Sequence, residues 1–155
     1  MPNAVRIVRS CPGSRMKPTL RPGIRHTFRF TIPESKTVPN IYPEAADFQV
    51  MPRVLATGYM VALCEWACID LLKPHLDWPG EQSVGTHVNL SHTAATPPGF
   101  LVTVEATLEK IEGRKLSFSI HAHDGIDPIT SGTHERHVID PVKFNEKLAA
   151  KAASA

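Results

Sequence analysis

Glu65 is the only charged residue between Ala56 and Ile69, in the apolar run ATGYMVALCEWACI. At helical spacing its neighbours are Gly58, Val61, Ala62, Cys68, Ile69 and Leu72, so its face carries no other charge. The rest of that helix surface is also largely apolar, which predicts burial on most sides. An unpartnered buried carboxylate is costly, so folding alone rarely selects one. Carboxylates in such settings act as bases or nucleophiles. The competing role is structural, with backbone donors or an arginine satisfying the charge.

A second group with chemical potential is His121, His123, Asp124, His134 and His137. His121 and His123 share a strand face, a spacing that metals accept. Solvated strand faces and turn positions account for all five, and no metal site is expected. Of the three cysteines, Cys64 and Cys68 stand one turn apart on the apolar helix, as packed thiols do, and Cys11 lies far upstream. No disulfide framework or zinc pattern is present, which points to a reducing, cytoplasmic setting.

The elements that position Glu65 follow from periodicity. His26, Phe28, Phe30 and Ile32 alternate with Arg25, Thr27, Arg29 and Thr31 as in a half-buried strand, ended by Pro33. Residues 33–53 carry Pro33, Pro39, Pro43 and Pro52 and read as a long loop over the surface or a pocket. The apolar helix then runs to about Leu72, before Pro74, Pro79 and Gly80. Four strands follow. Val84, Thr86, Val88 and Leu90 share one expected face, as do Val102, Val104, Ala106 and Leu108, and then Leu116, Phe118, Ile120 and Ala122. Glu112-Gly113-Arg114 is a hairpin connection, Asp124-Gly125 opens a turn, and Ile129 to Ile139 is the last strand. Trp66 and Trp78 read as core and loop anchors. Strand, loop, buried helix and antiparallel strands make an α+β pattern. A helix apolar almost all round calls for a sheet that wraps it, as in the hot-dog fold.

With 155 residues, 42% hydrophobic and 21% charged, the chain fits a single domain with a real core. The expected division is a basic, flexible tail over residues 1–20, one domain over 21–148, and a C-terminal tail over 149–155. The tail's Arg6, Arg9, Arg15 and Lys17 resemble a presequence or a nucleic-acid arm, but its prolines favour a plain tail. A net charge of +2 does not demand a nucleic-acid partner, and no apolar run reaches the ~20 residues of a membrane span.

The segments ATGYMVALCEWAC (56–68), SHTAATPPG (91–99), EGRKLSF (112–118), AHDGID (122–127) and SGTHER (131–136) resemble the fluoroacetyl-CoA thioesterase family, with similarity continuous from about Arg21 to Lys147. The resemblance implies a hot-dog fold, a homodimer, and hydrolysis of a short acyl-CoA thioester, with coenzyme A as part of the substrate and no separate cofactor. The family's catalytic threonine, glutamate and histidine fall on Thr57, Glu65 and His92. Gly85 matches the glycine whose backbone N–H holds the thioester carbonyl, and Arg136 an arginine near the active site. Phe48 matches the first of two aromatic residues that gate the acyl pocket. The second position is Met51, a departure that bears on fluorinated-substrate selectivity.

Thioester hydrolysis needs a nucleophile or activated water, a proton carrier, and donors for the oxyanion. Thr57 either orients the carboxylate or attacks. His92 either protonates the CoA thiolate or activates water. On a regular helix Thr57 and Glu65 lie about 12 Å apart. Either Thr57 precedes the first turn, as a threonine N-cap would, or the two meet across subunits or through substrate. Basic residues available for the CoA phosphates are Arg53, Lys73, Arg114 and Lys115. The alternatives are a hot-dog hydratase or dehydratase acting on an acyl thioester, and a non-catalytic acyl-CoA binding module.

Overall fold

The structure is a computed structural model that describes residues 16–155. The expected tail lies outside the described residues as far as Arg15, and Cys11 with it. The packed chain begins before residue 21, however. Lys17 donates its backbone N–H to His75 at 2.9 Å, and Leu20, only 8% exposed, joins the core.

Five strands form one antiparallel sheet: β1 (Arg25–Thr31), β2 (Gln82–Leu90), β3 (Leu101–Glu112), β4 (Lys115–His123) and β5 (Pro128–Ile139). Their spatial order is β1-β3-β4-β5-β2, which leaves β1 and β2 at the edges. Helix α1 (Ala46–Gln49) is a single turn in the proline-rich segment, α2 (Thr57–Leu72) is the long apolar helix, and α3 (Pro141–Ala153) is exposed and C-terminal. Asp140 caps α3 by accepting from the amides of Val142 and Lys143.

Val102, Val104, Ala106 and Leu108 of β3 and Leu116, Phe118, Ile120 and Ala122 of β4 are all buried, as their alternation predicts. They pack on Met60, Leu63, Cys64, Ala67, Cys68, Leu71 and Leu72 of α2. Burial of each Val, Leu, Ile, Met or Phe side chain among them stabilises the fold by about 1.5–3 kcal/mol. The other side of α2 is open in the single chain: Gly58, Ala62 and Trp66 are exposed, and Val61, Glu65 and Ile69 half-buried. The sheet of one chain therefore covers α2 on one side only, and the expected burial on most sides does not hold. Trp66 is likewise no core residue. It is 48% exposed, with its ring 4.7 Å from Phe28 and 5.6 Å from Phe30.

β2 also departs from simple alternation. Its register against β5 shifts between Gly85 and His87. Before the shift, Gly85 is opposite Arg136, and Val84 is opposite His137. After it, Val88 is opposite His134, so Val84 and Val88 face opposite sides of the sheet. The inserted residue turns Gly85 and Ser83 toward the helix.

Candidate active site

Thr57 is the first residue of α2, and Ala56, with extended backbone (φ −68°, ψ 140°), occupies the cap position. Thr57 is thus not the cap. Its hydroxyl pairs with Nδ1 of His92 at 2.8 Å instead. The free amides of the first turn give this end positive potential.

His92 reaches it because the loop after β2 is tied down on both sides. The amides of Ser91 and Thr93 donate to the carbonyls of Ser131 and Ile129 on β5, at 3.1 and 2.9 Å. Thr96 is buried; its hydroxyl donates to Asp124 at 2.9 Å, and its carbonyl accepts from Leu55 at 2.8 Å, just ahead of Thr57. Asp124 also accepts the amides of Ile126 and Asp127, which sets the turn before β5. Burial pulls the His92 imidazole below its usual value, with a hydrogen bond to the Ala94 backbone offsetting part of the effect, so the ring is neutral at physiological pH.

Glu65 stands two turns along α2, about 12 Å from Thr57 at the regular rise. Its side chain is 35% exposed and is not alone: Arg136 Nη1 donates to Oε1 at 3.1 Å. The guanidinium is itself held by Ser83, with Nε donating to the hydroxyl at 2.8 Å and Nη2 to the carbonyl at 2.9 Å. Arg136 is 3% exposed. Glu65 is thus a partnered carboxylate rather than an isolated one. Gly85 faces it directly. A β-carbon there would overlap Glu65 Oε1, with His134 Cε1 at 3.3 Å and Arg136 Nη1 at 3.5 Å. Any side chain at 85 would push the carboxylate away.

The site residues therefore gather in two groups, Thr57 with His92, and Glu65 with Gly85 and Arg136. Thr57 does not precede the helix, so one chain does not join them. Phe48 is half-buried in α1 and stacks on Tyr42 at 6.0 Å, while Met51 is 46% exposed. The loop carrying them approaches the start of α2, where a β-carbon on Gly58 would lie 2.9 Å from Ile41 Cδ1. Of the basic residues considered for phosphate, Arg53 pairs with Glu34 and Lys115 with Glu135. Lys73 lies over the Trp78 ring, and Arg114 lines a groove of about 400 Å³ with Lys143 and Lys147.

Of the residues around Glu65, Ser83 was not singled out from sequence, and His134 was weighed there only as a metal ligand. Period two places residues 134 and 136 on one face, a signal that was present once Arg136 was suspected. The five-residue histidine and aspartate group does not converge. His134 faces inward, His137 outward beside Val84, His123 accepts from the Gly125 amide, and Asp124 holds its turn. Among the described residues no cluster of three or more His, Cys, Asp or Glu is placed to hold a metal ion.

The family model of the fluoroacetyl-CoA-specific thioesterase matches residues 34–142. A fluoroacetyl-CoA thioesterase from Streptantibioticus cattleyicolor is 53% identical over 136 residues, covering 88% of this chain and 97% of that protein. A variant of a fluoroacetyl-CoA-specific thioesterase, solved with fluoroacetate and CoA, superposes with a TM-score of 0.78 at 54% identity, over 81% of this chain and 99% of the other. A hot-dog-like protein from Thermanaerovibrio acidaminovorans shares the fold alone, with a TM-score of 0.70 at 21% identity, over 84% of this chain and 91% of that one. The chain belongs to the fluoroacetyl-CoA-specific thioesterase family and is a thioester hydrolase with the hot-dog fold.

Proposed function

We propose that this hydrolase cleaves a short-chain acyl-CoA, fluoroacetyl-CoA included, as a homodimer whose active site combines Thr57 and His92 of one copy with Glu65, Gly85 and Arg136 of the other. The observation that carries the chemistry is the 2.8 Å contact between the Thr57 hydroxyl and Nδ1 of His92, an imidazole whose burial favours the neutral form. That is the geometry of a nucleophile with its base. In this reading Thr57 Oγ1 attacks the thioester carbonyl while His92 takes its proton. The C–S bond then breaks, and the proton passes to the departing CoA thiolate. The Gly85 amide polarises the carbonyl oxygen. Glu65, oriented by Arg136, draws a proton from the water that attacks the acyl–Thr57 ester, and that proton passes to Thr57 Oγ1 as its bond to the acyl carbon breaks.

Two features support the homodimer. β2 is an edge strand, mostly exposed from Gly85 to Asn89, and the open side of α2 carries Val61, Ala62, Trp66 and Ile69 around Glu65. Pairing with a second copy would cover an unpaired edge and apolar surface together. The chemistry calls for no cofactor beyond the coenzyme A of the substrate. A cytoplasmic location suits the free thiols of Cys64 and Cys68. Among the described residues no helix is long and apolar enough to cross a membrane.

The test is thiol release from a panel of short acyl-CoAs, with fluoroacetyl-CoA beside acetyl-CoA and product masses recorded. Free acid with free CoA is expected. Folded protein that releases no thiol from any member overturns the substrate class, and a product with an intact thioester and an added or lost water indicates hydratase chemistry. Quenched reactions should carry the acyl group on Thr57; an adduct on Glu65 would reassign the nucleophile. Sedimentation at micromolar protein should show a dimer.

A further inference from the structure

The buried network behind Glu65 contains a titratable group that the reaction scheme leaves unused. His134 is 1% exposed on β5. Its Nδ1 lies 2.8 Å from the carbonyl oxygen of His87, and its Nε2 lies 3.1 Å from Arg136 Nη1. A guanidinium has only N–H groups to offer and cannot accept. Nε2 must therefore present its lone pair to Arg136, which leaves the ring hydrogen on Nδ1, donating to His87. One tautomer of a neutral imidazole satisfies both partners.

The geometry points to His134 as a positioning residue for Glu65, which works through Arg136 only as the neutral Nδ1–H tautomer and releases the carboxylate clamp when Nε2 is protonated. This rests on the role given to Glu65 above. A proton on Nε2 would set two donors against each other across 3.1 Å. It would also give Glu65 Oε1, 4.0 Å from Nε2 and 3.1 Å from Arg136 Nη1, a second cationic donor. The oxygen would then be drawn off Arg136 toward Nε2. Misplacement on this scale is enough to slow a reaction by about 10²-fold.

The groups around His134 all bear on its charge. Burial contributes most to holding its pKa below the usual imidazole value; the His87 carbonyl opposes this, Arg136 on its own strand reinforces it, Glu65 from α2 opposes it, and the His87 side chain on β2 reinforces it weakly. From α2, Cys64 and Cys68 are pushed up to about 12, in each case chiefly by burial, so they stay uncharged. β4 presents the Phe118 ring, 6.3 Å away. The net effect keeps His134 neutral through the physiological range, with protonation below the ordinary imidazole value.

The experiment compares wild type, His134→Gln and His134→Leu for kcat and KM across pH, alongside nitrogen-15 histidine spectra of the wild-type protein. Glutamine offers one donor and one acceptor without titrating. It should retain kcat within about threefold near pH 8 and lose one of two acidic inflections, leaving that of His92, whereas leucine should lower kcat about tenfold or more with little change in KM. Unaltered inflections in His134→Gln, a glutamine variant as impaired as leucine, or wild-type kcat in folded His134→Leu would each overturn the inference. The spectra need no turnover. An Nδ1–H tautomer for His134 at pH 7 supports the clamp even if no acyl-CoA is hydrolysed, and an Nε2–H tautomer or an imidazolium overturns it.

Discussion

The two groups of site residues are built in opposite ways. At the start of α2, Thr57 is exposed and joined to His92 by a single side-chain contact, and both are placed by the path of the backbone. Two turns on, Glu65 is held through side chains: Arg136 and His134 are almost wholly buried, and Ser83 and the His87 carbonyl complete the network. The first group leaves the Thr57 hydroxyl exposed beside an imidazole. The second fixes a charge against a glycine with no space to spare. A buried network transmits any change in one member to the rest, whereas a backbone-placed pair tolerates side-chain changes that preserve the hydroxyl.

The comparison is broken most severely at its rigid end. Glu65→Gln should lose about 10³-fold in kcat while circular dichroism shows the fold retained, since the amide is nearly isosteric. Full turnover in that variant would remove Glu65 from the chemistry. Gly85→Ala should cost about 10²-fold, because the added methyl takes the space of Glu65 Oε1, and circular dichroism should find the fold intact.

Smaller effects sharpen the contrast at the other end. Thr57→Val should reduce kcat by at least about tenfold, while Thr57→Ser, which keeps the hydroxyl beside His92, stays within a few-fold of wild type. Wild-type kcat in Thr57→Val with a loss in Thr57→Ser would mean that the methyl group, not the hydroxyl, matters. Asp124→Ala acts at a distance. It strands the Thr96 hydroxyl and two amides of the turn that supports the His92 loop, and chemical denaturation should report a loss of about 2 kcal/mol.

The pH dependence follows from the two imidazoles. His92 and His134 both lie below the usual imidazole value, burial being the larger cause in each. Their neutral forms are thus favoured by folding. The stability this represents is complete above the unfolded imidazole value and declines as pH falls below it, because the unfolded chain takes up protons first. Activity should be flat near neutrality and fall on the acid side. A profile that instead rises on acidification would contradict neutral roles for both rings.

Much of this could be read without coordinates, because period and composition report local geometry. Helix α2 ends at Leu72 where Pro74 requires, and the inward alternation of β3 and β4 matches their buried residues one for one. β2 was harder. Gly85 is compatible with a strand bulge, but the alternation of Val84, Thr86, Val88 and Leu90 runs through it unbroken, so Val84 and Val88 were expected on one face and lie on two. Trp66 failed for a related reason. Apolar character says that a residue prefers cover, not whether its own chain supplies it.

For Glu65 the division is clearest. Its isolation among apolar neighbours is a property of one helix, so residue types and a 3.6-residue period were enough to mark it. The resemblance then set Thr57, His92, Gly85 and Arg136 beside it as a list. Only the tertiary structure sorted that list into two groups, showed the carboxylate paired with a guanidinium, and brought in Ser83 and His134. Those contacts join residues far apart in sequence, across a bulged edge strand, and such distances are set by how the whole chain packs.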